Sequence, residues 1–149
     1  MVANLETLRG CMVSDESTTL PLDHLSDLGN HSYWRRFMAE RIAIELDYEA
    51  FGVHGVYLIG SVERCEADMG SDIDIIVHME DDEDRRESLL LWLDGWSCSL
   101  GLMNYSRTGY MSARLLDVHI VTDREVRQQD SFAIQMNDPV AARCLTGKY

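Results

Sequence analysis

Two short apolar runs, joined by a glycine-serine turn and a polar spacer, constrain this chain more than any other feature. Val56-Tyr57-Leu58-Ile59 ends in Gly60-Ser61, and ten residues later a second run opens as Asp72-Ile73-Asp74-Ile75-Ile76-Val77. Each run has the length of a strand, and a strand alternates its side chains between two faces. Asp72 and Asp74 therefore share one face, and Ile73, Ile75 and Val77 share the other. Aspartate is a poor strand former, so two of them heading an isoleucine run break the local preference. Like charges so close repel unless a cation lies between them or one takes up a proton. A divalent metal is the economical reading.

A second break lies downstream. Arg114 to Val121 reads as a third strand, with Leu115, Asp117, His119 and Val121 on one face and Leu116, Val118 and Ile120 on the other. Asp117 is again a lone acid among strand formers. The plainer readings are that Asp72 caps a strand and that Asp117 pairs with Arg114 or Arg107. His78 shares the face of Asp72 and Asp74, and His119 that of Asp117; both lie further along their strands, so packing or hydrogen bonding is favoured over ligation. The Gly60-Ser61 turn allows close backbone approach and can offer amide N–H groups and a hydroxyl to phosphate oxygens. Such turns are common, and this one gains weight only from the aspartates at fixed distance.

The segment from Gly60 to Val77 resembles the signature of the DNA polymerase beta-like nucleotidyltransferase superfamily, in its small stand-alone form. That signature is an apolar strand, Gly-Ser, a spacer, then Asp-x-Asp inside a second apolar strand. The match is full at Gly60, Ser61, Asp72 and Asp74, and extends to Ser71 and to Arg64, which stands where small members often carry arginine. Glu63 and Cys65 depart from the alanine and glycine usual there, so the loop carries an extra negative charge. The resemblance implies an α+β, two-layer α/β fold: a mixed, mostly antiparallel sheet with helices packed on one face. It implies that Asp117 is the third metal carboxylate, contributed by a neighbouring strand. Asp72 and Asp74 would bridge two Mg2+ ions, and Asp117 would hold the ion serving the acceptor and stand as candidate to take its proton. Gly60 and Ser61 would hold the β- and γ-phosphates of a nucleoside triphosphate, with Arg64 and Ser71 as helpers.

Composition narrows the partners. With 26 acidic against 13 basic residues, the formal net charge is -13. So acidic a chain lacks the basic stripe needed to grip a long nucleic acid backbone. Twelve of the basic residues are arginine, and only Lys148 is lysine. Cys11, Cys65, Cys98 and Cys144 show no C-x-x-C spacing and read as reduced thiols of a cytoplasmic protein. Neither a signal peptide nor a membrane-spanning run is evident, so no membrane partner is expected. The 149 residues suit one nucleotidyltransferase domain across 1–149, with 1–30 as a helix-and-loop extension.

The remaining elements follow from periodicity. Residues 1–13 read as a short helix, 14–30 as a loop with a turn of helix over 23–29, and 31–50 as a helix with Arg35 and Arg36 on a solvated face. The acidic run Glu80 to Asp84 reads as the N-terminal cap of a long helix over 85–104, weakened or bent at Gly95 and Gly101. Asn104 to Ala113 reads as a loop and 123–131 as a short helix or turn. Phe132 to Met136 reads as a further strand, with a short helix or loose tail at the end.

Two functions compete on these grounds. One is a Mg2+-dependent enzyme moving a nucleoside monophosphate from a nucleoside triphosphate, ATP first, to a hydroxyl on a protein or small molecule, with release of pyrophosphate. The resemblance implies antibiotic-modifying enzymes and protein-adenylylating antitoxins among small members; the chain is shorter than the former, which favours a protein acceptor. The alternative is a nucleotide-binding regulatory or antitoxin-like partner module with little or no turnover. A protein partner or a second copy of the chain would supply the acceptor.

Overall fold

The computed structural model describes residues 31–147; the elements expected within 1–30 lie outside them. Six helices are described, α1 (Ser32–Glu45), α2 (Tyr48–Phe51), α3 (Gly60–Glu63), α4 (Glu83–Thr108), α5 (Asp123–Gln128) and α6 (Ser131–Met136). Four strands, β1 (Val53–Ile59), β2 (Ile73–Met79), β3 (Leu116–Thr122) and β4 (Arg143–Gly147), form one sheet in the order β3-β2-β1-β4. β1 is antiparallel to β2 and β4, whereas β2 and β3 are parallel. A parallel pair needs a crossover, and α4 supplies it.

Alternation in β2 works as the sequence implies. Ile73, Ile75, Val77 and Met79 join Val56 and Leu58 in the main core, beneath Trp34 and Ile42 of α1 and Leu89, Leu93 and Leu100 of α4. Burying each such side chain contributes about 1.5–3 kcal/mol. A slip of one residue would turn all of them outward and drive the aspartates into the core, so the register is strongly specified. On the opposite face Ile59, Ile76 and Val121 pack with Ala133 and Met136 of α6. The long helices thus lie on one face, and short α5 and α6 cover part of the other. Asp74 and Asp117 project from that second face.

The acidic run before α4 caps it. The Asp82 side chain accepts from the Arg85 N–H at 3.1 Å, and Glu83 and Asp84 occupy the first turn, where negative charge complements the helix dipole. The helix continues to Thr108, beyond its expected end at 104. At Gly101 a Cβ would collide with the Ser112 carbonyl, so glycine here lets the following segment lie directly on the helix.

Three expectations are corrected. Phe132 to Met136 is helical: Asp130 caps α6 by accepting from the Phe132 N–H at 3.1 Å, and Ala133 and Met136 share the buried side while Ile134 is exposed. Short apolar runs do not distinguish strand from helix by periodicity, and the Asp-Ser pair before this one was the cap signal. The final segment is the edge strand β4, not a helix or tail. Cys65 is disulfide-bonded, so it is not the reduced thiol expected, whereas Cys98 and Cys144 are free.

Candidate active site

The parallel register between β2 and β3 places Asp74 directly beside Asp117. In-register neighbours of a parallel pair point to the same face, so the two carboxylates meet; they lie within hydrogen-bonding reach of each other. One oxygen of each and a ring nitrogen of His119 fall within 4.8 Å of one another. Asp72, just before β2, lies outside this 4.8 Å cluster, but its charge is felt by Asp74. Asp117 is thus on the side of the sheet that its alternation implies.

These acids are held in mutual repulsion. Burial raises the Asp74 carboxyl above its ordinary value, and the neighbouring Asp117 and Asp72 charges raise it further, against a smaller opposing pull from His119. Asp72 is raised by burial and then by Asp117, with Arg35 opposing. Carboxylates gathered against their own electrostatics, and offering oxygens, are a donor set that fits a hard divalent cation such as Mg2+.

The glycine of the turn is built into this group. Gly60 follows β1 and opens α3 with φ +74°, and a Cβ there would sit 2.5 Å from Asp74 Oδ2. Both the left-handed backbone and the close approach exclude a side chain. We expect Gly60→Ala to cost about 1–2 kcal/mol through the backbone alone and to push Asp74 from its place. Chemical denaturation read beside nucleotidyl transfer checks this; a variant with unchanged midpoint and unchanged activity would refute it.

The other expected phosphate helpers are not drawn to the acids by their side chains. Arg64 is exposed and pairs with Glu66 at 2.9 Å. The Ser71 hydroxyl is used within its own loop, donating to Asp68 Oδ1 at 3.1 Å and accepting from the Asp68 N–H at 2.9 Å. Ser61 follows Gly60 in α3 and is half-buried. Arg114 pairs with Asp94 at 2.6 Å, so the plainer reading of an Arg114–Asp117 pair does not hold.

Sequence reasoning missed the two arginines of α1. Arg35 and Arg36 do not form a solvated face; each is 0% exposed. Arg35 donates from Nε to the Ser71 carbonyl at 2.9 Å, and from Nη2 to the Met69 carbonyl at 3.2 Å and Asn104 Oδ1 at 2.9 Å. Burial pulls its pKa down to about 10 despite the Asp68 and Asp72 charges. Arg36 donates to the Glu63 carbonyl at 3.2 Å. One helix thus fastens both ends of the loop between the turn and Asp72. The available signal was an almost lysine-free basic set, since a planar guanidinium is the cation suited to buried hydrogen bonding. His119 packs, as its place further along β3 implies: it stacks on Phe132, ring centroids 4.2 Å apart, and its Nε2 lies 3.6 Å from Asp117 Oδ2.

A family model described as a nucleotidyltransferase domain matches residues 41–137, well over half of the chain. The chain belongs to that nucleotidyltransferase family. A crystal structure from Sulfolobus solfataricus, of a protein provisionally assigned as a nucleotidyltransferase, aligns with 76% of this chain and 85% of its own at 16% identity and a TM-score of 0.37. None of the curated proteins matches. Membership implies nucleotidyl transfer as the class of chemistry and a nucleoside triphosphate as donor. Among the described residues no helix is long and apolar enough to cross a membrane.

Proposed function

We propose that this protein transfers a nucleoside monophosphate, from ATP in the first instance, to a hydroxyl on a protein or small molecule, using Mg2+ held by Asp72, Asp74 and Asp117. The observation that carries the reading is the in-register pairing of Asp74 with Asp117, with Asp72 adding its charge to the same spot. Bound there, Mg2+ would neutralise the polyphosphate and favour departure of pyrophosphate. The residues of the chain do the rest. Gly60, with no Cβ between backbone and Asp74, lets the β- and γ-phosphates approach the turn, and the Ser61 hydroxyl orients them. The acceptor oxygen bonds to the α-phosphorus as the bond to the β-phosphate oxygen breaks, and its proton passes to an Asp117 carboxylate oxygen. Arg64 would join the phosphates only by leaving Glu66, and Ser71 serves through the loop it shapes. Arg35 holds that loop, and with it Asp72, in place.

A protein acceptor is favoured by α4, where Leu91, Leu102 and Tyr105 are exposed and fall on one side of the helix at helical spacing. These side chains suit a protein partner or a second copy, and would equally serve a regulatory module with slow turnover. Incubation with labelled nucleoside triphosphates and Mg2+, scored for pyrophosphate and for nucleotide adducts by mass spectrometry, separates the two. Pyrophosphate release by the wild type and its loss in Asp72→Asn are expected; no release with any triphosphate or acceptor would sink the enzymatic reading. One domain across the chain and a cytoplasmic location belong to the same proposal.

A further inference from the structure

At the other end of the sheet from the aspartates, three side chains from three separate segments converge. His78 lies in β2, four residues beyond Asp74 on the same face, which is about 13 Å along a strand. Asp123 opens α5 directly after β3, and His54 belongs to β1. The Asp123 carboxylate stands between the two imidazoles: His78 Nε2 is 2.8 Å from Oδ1, and His54 Nε2 is 3.3 Å from Oδ2. The two rings lie 4.7 Å apart, tilted by 59°. One ligand atom from each of the three falls within 4.8 Å of the other two.

His54 reaches this spot through an irregularity. Val53 pairs with Met79 and Gly55 with His78, so His54 is the extra residue of a β-bulge. A bulge interrupts the ladder and re-aims a side chain, and bulges concentrate beside functional sites. Here the interruption sets a second imidazole beside the first.

We propose that His54, His78 and Asp123 form a second cation site, separate from the three aspartates and suited to Zn2+ or a similar borderline transition ion rather than Mg2+. Two imidazole nitrogens and one carboxylate oxygen are the donors such ions take, whereas Mg2+ prefers an all-oxygen set. Tetrahedral zinc, with bonds of about 2.0–2.1 Å, needs its ligand atoms roughly 3.3 Å apart; the His54 Nε2–Asp123 Oδ2 separation of 3.3 Å meets that spacing, and His78 Nε2, 2.8 Å from Oδ1, would have to draw back by about half an ångström. His54, His78 and Asp123 keep 40%, 19% and 39% of their side-chain surface exposed, so an ion can enter and retain a further position open to water or to a ligand. A carboxylate merely hydrogen-bonded to two imidazoles is the competing account, and it binds no ion.

The test uses untagged, full-length protein carrying Asp74→Asn and Asp117→Asn, so that the first site cannot retain metal. Zn2+ is titrated by equilibrium dialysis with elemental analysis, in the presence and absence of a hundredfold excess of Mg2+. About one Zn2+ per chain is expected, resistant to Mg2+, with affinity at least tenfold weaker after His54→Gln or His78→Gln. X-ray absorption on the zinc-loaded protein supplies a readout that survives a variant failing to fold. It should show nitrogen and oxygen neighbours with two imidazoles, and no sulfur from Cys98 or Cys144. No bound zinc, zinc insensitive to both histidine variants, equal competition by Mg2+, or sulfur in the first coordination sphere would each overturn the proposal.

Discussion

Asp74→Asn should abolish nucleotidyl transfer and at the same time make the metal-free protein more resistant to heat. The loss follows from removing a carboxylate from the metal-holding group: several kcal/mol of transition-state stabilisation disappear, on the order of 10³-fold or more in rate. The gain follows from linkage. Burial and the Asp117 and Asp72 charges raise the Asp74 pKa in the folded chain above its ordinary value of 3.8. Below pH 3.8 folded and unfolded chains both carry the proton and the carboxyl contributes nothing to the difference. As pH rises past that value, the unfolded chain ionises first, and stability falls until the folded carboxyl has ionised too. At neutral pH the wild type without metal therefore carries a full penalty that asparagine does not. Thermal melts should show the variant a few degrees above the wild type at pH 7 and level with it near pH 3. Added Mg2+ should raise the wild-type midpoint and leave the variant unmoved. A variant less stable than wild type at pH 7 without metal would refute the electrostatic account of the site.

The parts of this site visible in the sequence are those governed by local period. Ile73, Ile75 and Val77 alternate with Asp72 and Asp74, and the face they define is the face found. The pairing of Asp74 with Asp117 is different in kind, because register between strands joined by a 26-residue helix is decided by core packing far from either residue. Only the resemblance linked the two aspartates beforehand. Arg35 and Arg36 were misread because α1 is buried around most of its circumference, including Trp34, Ala39, Glu40 and Ile42. A charged pair in such a helix is solvated only if one face is free, and whether it is free depends on loops the helix sequence does not contain. The bulge at His54 was equally hidden, since an extra residue in a strand leaves no mark on composition. Phe132 to Met136 failed for a smaller reason: five residues are too few to choose between a period of 2 and one of 3.6.

The second large effect falls on Arg35, which touches none of the presumed reacting groups. Its guanidinium is fully buried over the Trp34 ring at 4.5 Å and donates to the carbonyls of Ser71, Met69 and His31 and to Asn104 Oδ1. Asn104 in turn donates to the Met69 carbonyl at 2.9 Å, so α1, α4 and the loop before Asp72 are joined through one side chain. Truncation to alanine leaves these acceptors without their donor and opens a cavity beneath the loop, a combination that costs about 3–5 kcal/mol. Arg35→Lys keeps the charge but has no planar fork to span Ser71 and Asn104 together. The lysine variant should fold, with a lowered denaturation midpoint and faster amide exchange confined to residues 68–72. Its transfer rate should fall about 10²-fold, the cost of misplacing a reacting centre by about 1 Å. The two readouts distinguish positioning from mere stability: a lysine variant that is destabilised yet transfers at the wild-type rate would show that Asp72 holds its place without Arg35. Arg35→Met adds a further check, because it fills the volume without a buried charge. It should recover part of the stability lost in alanine and none of the activity, since no donor remains to hold the Ser71 carbonyl one residue ahead of the metal-binding aspartate.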